Sequence, residues 1–226
     1  MAPLALLTCC LLSSAPHVTL WVWEAKQDLR ALPETVDVAL LVAEVNVTPE
    51  GLRVRRRVQP ALLPPGRVPL AVVRLETHGR GLPEAARAKL VEVLVERVET
   101  LHTSGLQLDF DARPAEYADY RALLFALRLR LSKKTLSITG LASWCAESPP
   151  WFEGAPVDEV VPQFFRLGLD SERWRSRFAT GVLARCGTSV GVSTDEPPSL
   201  ALMTAPRVFV FHPGTWSPRD LAALLP

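Results

Sequence analysis

The stretch Leu106–Leu131, LQLDFDARPAEYADYRALLFALRLRL, reads as one complete strand–helix unit. In its first six residues Leu106, Leu108 and Phe110 alternate with Gln107, Asp109 and Asp111. Side chains of a strand point alternately to its two faces, so the apolar set and the polar set lie on opposite sides. Pro114 follows, at a position suited to the first turn of a helix, and the pattern up to Leu131 is helical. An apolar outer face that packs on helices, with a Gln-Asp-Asp face turned away from them, suits a strand of a closed parallel sheet.

Similar units lie on both sides. Upstream, Thr19–Trp23, Val36–Val45 and Val68–Leu75 are apolar runs, the second nearly all Val, Ala and Leu, as in a strand buried on both faces. A helix is predicted over Pro83–His102, where Ala86, Leu90, Val93, Leu94 and Val98 recur at three- and four-residue steps. Downstream, strands are predicted at Thr135–Leu141, Val160–Arg166, Thr188–Val192 and Arg207–Phe211, and helices at Ser171–Thr180 and Pro218–Leu225. The segment Val47–Arg67, rich in Gly and Pro, reads as a long irregular connection with a small hairpin around Leu52–Val58. Eight strands in order, mostly separated by helices, predict an α/β fold of the (β/α)₈ TIM-like barrel class with some short or missing helices. An open, doubly wound sheet is the alternative. No GxGxxG or GxxxxGK[ST] follows a strand, so the phosphate cradle of a nucleotide-binding version is lacking.

The chain has 226 residues, of which 48% are hydrophobic and 22% charged, enough for one sizeable core. A net charge of +1 gives no field that would gather nucleic acid or an anionic membrane. The cluster Arg53, Arg55, Arg56 and Arg57 reads as a solvated loop or edge strand. Residues 1–17 look like a signal peptide or lipoprotein leader, with apolar Leu4–Leu12 followed by Ser13, Ser14 and Ala15. The stretch is too short to span a bilayer. The expected mature domain is 18–226, periplasmic, secreted or lipid-anchored, with no spanning segment. Of its two cysteines, Cys145 follows the fifth strand at the top and Cys186 precedes the seventh at the bottom. That geometry predicts a separation of roughly 16 Å and therefore free thiols.

Barrels of this class carry their chemistry at the C-terminal ends of the strands. This rule selects Asp109, Asp111 and Glu76 as candidate catalytic carboxylates. It selects Gln107, Trp23, Trp144, Gln163, Arg166 and His212 as candidate substrate-binding residues. Two acids two residues apart repel one another in a poorly solvated mouth, which raises the pKa of one and leaves an acid–base pair. The structural alternative is that they cap the next helix or bind an interior Arg such as Arg166. Trp23, Trp144, Trp151 and Trp216 fall at the same rim, where indole faces could stack on sugars; core packing is the competing reading. His78 and His212 at strand ends lack HExxH or CxxC spacing, so no metal and no cofactor is expected. Gly187–Gly191 does not match the G-x-S-x-G turn of a serine nucleophile.

The segments Leu106–Leu131, Leu141-Ala142-Ser143-Trp144-Cys145 and Val160–Arg166 resemble an uncharacterised bacterial family, domain of unknown function 3142. That resemblance implies a barrel related to glycoside hydrolases and brings no established reaction. A more distant resemblance is to the chitinase-like glycoside hydrolases of family eighteen, whose fourth strand carries D-x-x-D-x-D-x-E. Asp109 and Asp111 match its second and third acids. Leu106 stands in place of the first, and Arg113 in place of the proton-donating Glu. Either another acid such as Glu76, Asp195 or Glu196 takes that role, or the site binds sugar without cleaving it. The resulting expectations are a glycoside hydrolase acting on an envelope or extracellular polysaccharide, and a non-catalytic carbohydrate-binding pseudoenzyme. Nothing in the sequence speaks for a third reading, a scaffold in an envelope assembly.

Overall fold

The computed structural model describes residues 16–168, 171, 172, 174, 176, 186–196, 202 and 205–224. The leader assigned to residues 1–17 therefore lies outside the described residues except at its end, where His17 already opens the first strand. Eight strands form the barrel: β1 (His17–Val22), β3 (Val36–Thr48), β6 (Leu70–Glu76), β7 (Gly105–Asp109), β8 (Thr135–Leu141), β9 (Glu159–Gln163), β10 (Ser189–Ser193) and β11 (Arg207–Phe211). They pair in the order β1-β11-β10-β9-β8-β7-β6-β3, every pair parallel, and a β1–β3 pairing closes the ring. The fold is a (β/α)₈ barrel, and the open sheet is ruled out by that closure.

Among the described residues the helical layer is incomplete, as the sequence suggested; the helix expected over Ser171–Thr180 lies mostly outside the described residues. Helix α1 (Glu84–Thr100) follows β6, α2 (Tyr117–Arg130) follows β7, and α3 (Pro218–Leu224) follows β11. Pro114 opens a 3-10 turn, Pro114–Glu116, that leads into α2. Between β3 and β6 there is no helix. Instead β4 (Gly51–Arg56) folds back antiparallel on the long β3, and β2 (Gln27–Asp28) pairs with β5 (Ala61–Leu62) in a small second sheet. The arginine cluster lies mostly on this edge strand. Arg55 pairs with Glu44 at 2.7 Å, and Arg57 beyond β4 donates to the carbonyls of Trp23 and Ala25.

The core has two parts. Outside the sheet, Leu106, Leu108 and Phe110 pack with Leu94 and Val98 of α1 and with Leu123, Leu124 and Leu127 of α2. Inside the barrel, Trp21, Ala39, Leu41, Leu70, Val72, Val161 and Phe209 fill the centre. The Trp21 ring lies directly over Gly191, where a Cβ would stand 2.5 Å from the indole. A glycine in β10 therefore makes room for the largest interior side chain.

The cysteines require a correction. Cys145 and Cys186 form a disulfide, with Cα atoms 5.3 Å apart, although the barrel is correct. The height argument fails because neither residue is in a strand. Cys145 sits in a 3-10 turn (Ala142–Ala146) that replaces a full helix after β8, and Cys186 lies three residues before β10. Both are buried in the outer layer, which runs alongside the strands and is not confined to their ends. The bridge closes a sequence separation of 41 residues. In the chain-entropy account, a loop of that size contributes about 4 kcal/mol. The double replacement Cys145→Ala/Cys186→Ala should lower the unfolding free energy by roughly that amount in guanidinium titration. An unchanged midpoint would show that the bridge constrains little.

Candidate functional site

Interior polar residues occur in order from the floor of the barrel upward. Gln107 of β7 is fully buried and accepts a 2.7 Å hydrogen bond from the Trp21 indole N–H. Its amide donates to the Ser137 hydroxyl at 2.9 Å, and that hydroxyl bonds Glu159, which also accepts from Ser189 at 2.6 Å. This chain crosses five strands. It places Gln107 beneath the ligand space, as a support and not as a wall.

One turn of the pleat higher, Asp109 faces the mouth. Its carboxylate accepts from Thr139 Oγ1 at 2.8 Å and Gln163 Nε2 at 3.2 Å, and Arg74 Nη1 stands 4.0 Å away. Burial pushes the Asp109 carboxyl above its ordinary range, against the opposing pull of Thr139, Arg74 and Gln163. Asp111 stands at the rim, open to solvent on one side. Desolvation and then the Asp109 charge push its carboxyl up to about 6. Arg74 is held by Glu76, with Nε and Nη2 each 2.8 Å from Oε1. Behind the pair, Tyr120 of α2 packs edge-on against Phe110, and burial with the two carboxylates pushes its hydroxyl well up.

Above Asp109 opens a cavity of about 440 Å³ at the C-terminal mouth. Asp109, Asp111, Arg74 and Gln163 line its polar part. Trp21, Trp23, Phe165, Phe211 and Trp174 form much of the apolar wall, with Ser143 and Arg166 at its edge. Phe165 and Phe211 stack at 5.5 Å with their planes 2° apart.

The cavity thus unites Asp109, Asp111, Trp23, Gln163 and Arg166 among the residues selected from the sequence. Glu76 reaches it only through Arg74. Trp144 does not line it: it is buried in the outer layer, with Tyr117 at 6.0 Å and Trp151 at 5.0 Å. His212 does not line it either: it shares a 2.7 Å hydrogen bond with Thr194 and lies against Trp216. Trp151 and Trp216 belong to packing clusters, so of the four rim tryptophans only Trp23 lines the cavity. The acids do not bind Arg166; their cation is Arg74. Sequence reasoning passed over Arg74, yet Leu70, Val72, Arg74 and Glu76 share one face of β6, so stepping back two residues from Glu76 finds it. Arg113, in place of the family-eighteen Glu, lies across Gly79 in the loop after β6 and does not line the cavity. The nearby acid Glu116 is buried and accepts from Thr77 and from the Arg113 amide, capping the turn before α2. Among the described residues, no group of three or more His, Cys, Asp or Glu is placed to hold a metal. None of the described helices is long and apolar enough to cross a membrane.

The backbone is similar to that of a protein assigned as chitinase A from Streptomyces coelicolor. The TM-score is 0.59 at 12% identity, over 92% of this chain and 94% of that one. It is also similar to chitinase ChiC from Aspergillus fumigatus, with a TM-score of 0.54 at 12% identity over 92% and 97% of the two chains. A protein assigned as a sporulation-specific glycosylase from Bacillus subtilis aligns with TM-score 0.41 and 19% identity over 57% of this chain; the match spans about half, 51%, of that chain. No family model and no curated protein sequence matches the chain, so the resemblance to domain of unknown function 3142 rests on the segments quoted for it. What the chain shares with these structures is the fold, a (β/α)₈ barrel.

The raised Asp111 carboxyl has a measurable consequence. Its folded pKa, about 6, lies above the ordinary value of 3.8 for an aspartate. The native state therefore binds more protons between those values, and Asp111 costs stability as the pH rises from about 4 to 6. After discounting for its exposure, the cost at pH 7 is on the order of 1 kcal/mol. Asp111→Asn should melt higher than wild type at pH 7, and the gap should close by pH 4. A gap that is the same at both pH values would mean the carboxyl is unperturbed.

Proposed function

We propose that the protein is a glycoside hydrolase-like enzyme of an envelope or extracellular polysaccharide, with its sugar seated in the mouth cavity above Asp109. The observation that carries this reading is the Asp109–Asp111 pair lining an aromatic-walled cavity, Asp109 deep and Asp111 at the rim, with the outer carboxyl raised toward neutrality. Indole and phenyl faces such as Trp23 and Phe211 suit the apolar faces of pyranose rings. Protonated Asp111 donates its proton to the glycosidic oxygen as the C1–O bond breaks. Asp109, anchored by Thr139 and Gln163, holds Asp111 in the range where it can do so. The carboxylates among the described lining residues both come from the β7 segment. The group that attacks C1 is therefore water or a substituent of the sugar itself, as in substrate-assisted glycosidases. Water then returns a proton to Asp111 as it adds to C1. The disulfide supports an exported location, because such bridges persist in oxidising compartments.

A second reading is favoured by that same distribution of acids and by Arg113 in the donor's position: a barrel that binds a glycan without cleaving it. The deciding assay is reducing-end release from a panel of bacterial polysaccharides by the purified protein. Hydrolysis predicts turnover that falls as the pH rises above about 6 and drops about a hundredfold or more in Asp111→Asn. Saturable binding of one glycan without turnover, weakened by Trp23→Ala, would replace the hydrolase with the binding module. Neither turnover nor binding across the panel would remove the sugar role.

A further inference from the structure

Arg74 and Arg166, the two guanidinium groups that line the cavity among the described residues, are held very differently. Arg74 is committed within the protein, clasped by Glu76 at 2.8 Å and facing Asp109. Arg166 stands just past β9 with its side chain 58% exposed, and its ion pair with Asp195 is long, at 3.8 Å. An exposed pair of that length holds its partners weakly and exchanges readily. The guanidinium is nevertheless well positioned. It lies over the Phe211 ring, 5.2 Å from its centroid, and Phe211 is fixed by its stack on Phe165. Its backbone is in the left-handed region, with φ 53°, and its amide donates to Glu196 Oε1 at 3.0 Å. A non-glycine residue held in that conformation inside a ligand cavity is strained, and the surroundings maintain the strain. Asp195 is occupied in its own turn by the Ser193 hydroxyl.

We infer that Arg166 selects a carboxylate-bearing sugar, a uronic acid unit, whose carboxylate takes the place of Asp195 on the guanidinium while its ring lies along the Phe165–Phe211 wall. This deepens the carbohydrate reading above and rests on it. The planar guanidinium fork matches a carboxylate with two parallel hydrogen bonds. A single negative charge is also better tolerated in a cavity that already contains Asp109 and Asp111, since a phosphate monoester, with close to two charges near neutral pH, would meet more repulsion from both.

The test is isothermal titration of Asp111→Asn protein, to suppress turnover, with short oligomers of galacturonate, glucuronate and mannuronate. Each is compared with its carboxyl-reduced, neutral counterpart. At least one uronate should bind about tenfold or more tightly than its neutral counterpart. Arg166→Gln in the same background should bring the two affinities together, and Arg166→Lys should restore part of the preference without the full bidentate gain. Melting curves confirm that each variant is folded, and Arg166→Lys serves if Arg166→Gln is not. Equal binding of acidic and neutral oligomers, or a preference that survives Arg166→Gln, overturns the inference and leaves the carbohydrate reading standing. Binding of no oligomer of either kind here, together with none in the wider polysaccharide panel, removes both.

Discussion

The hydrogen bond from the Trp21 indole to Gln107 is the interaction on which the site depends. A barrel of eight strands must fill its centre with side chains, and here the largest is a tryptophan that lies on Gly191 two strands away. A buried indole N–H needs an acceptor, and Gln107 provides it while passing its own amide to Ser137. The result is a solid, satisfied floor. Everything above that floor is open to ligand, and everything below it is structure. Asp109, two residues past Gln107 on the same face of β7, is consequently the first carboxylate above the packed layer.

That position explains the electrostatics. Asp109 is too deep to be solvated and too well bonded to move, since Thr139 of β8 and Gln163 of β9 both donate to it. Its charge is offset by Arg74, reached through the neighbouring strand β6. Asp111 has none of these partners beyond Arg74's field, and desolvation first and the neighbouring Asp109 second push its carboxyl up to about 6. The two acids differ in partners as well as depth: burial favours the neutral form of Asp109, and Thr139, Arg74 and Gln163 oppose it, whereas Asp111 has only Arg74 to lower its carboxyl.

The outer layer has its own logic. Where a helix is missing after β8, the chain fills the gap with a 3-10 turn and an aromatic cluster of Trp144, Trp151, Phe152 and Tyr117. The Cys145–Cys186 bridge ties that patch to the segment entering β10. In a barrel with an incomplete ring of helices, a covalent tie stands in for packing that a full helix would have supplied. The tryptophans of this region are thus core residues, although they follow a strand end in the sequence.

The sequence by itself determined where the eight strands lie along the chain, from the period-two alternation of LQLDFD and the apolar runs of β3 and β6, while the β1–β3 pairing that closes them into a ring was decided by the tertiary structure. It also placed Asp109 and Asp111 on one side of the chain at the end of β7, where the structure finds Asp109 as its last residue and Asp111 two residues beyond. The tertiary structure decided which strand-end residues converge. Trp144 and His212 follow their strands as closely as Arg166 does, yet only Arg166 reaches the cavity, because strand-end position fixes height and not the direction in which a loop turns. It also decided the disulfide, since the distance between two residues outside the strands depends on how the outer layer folds over the barrel. It assigned Arg74 to the acids, because that contact spans β6 and β7 and is set by their register, which no local pattern specifies.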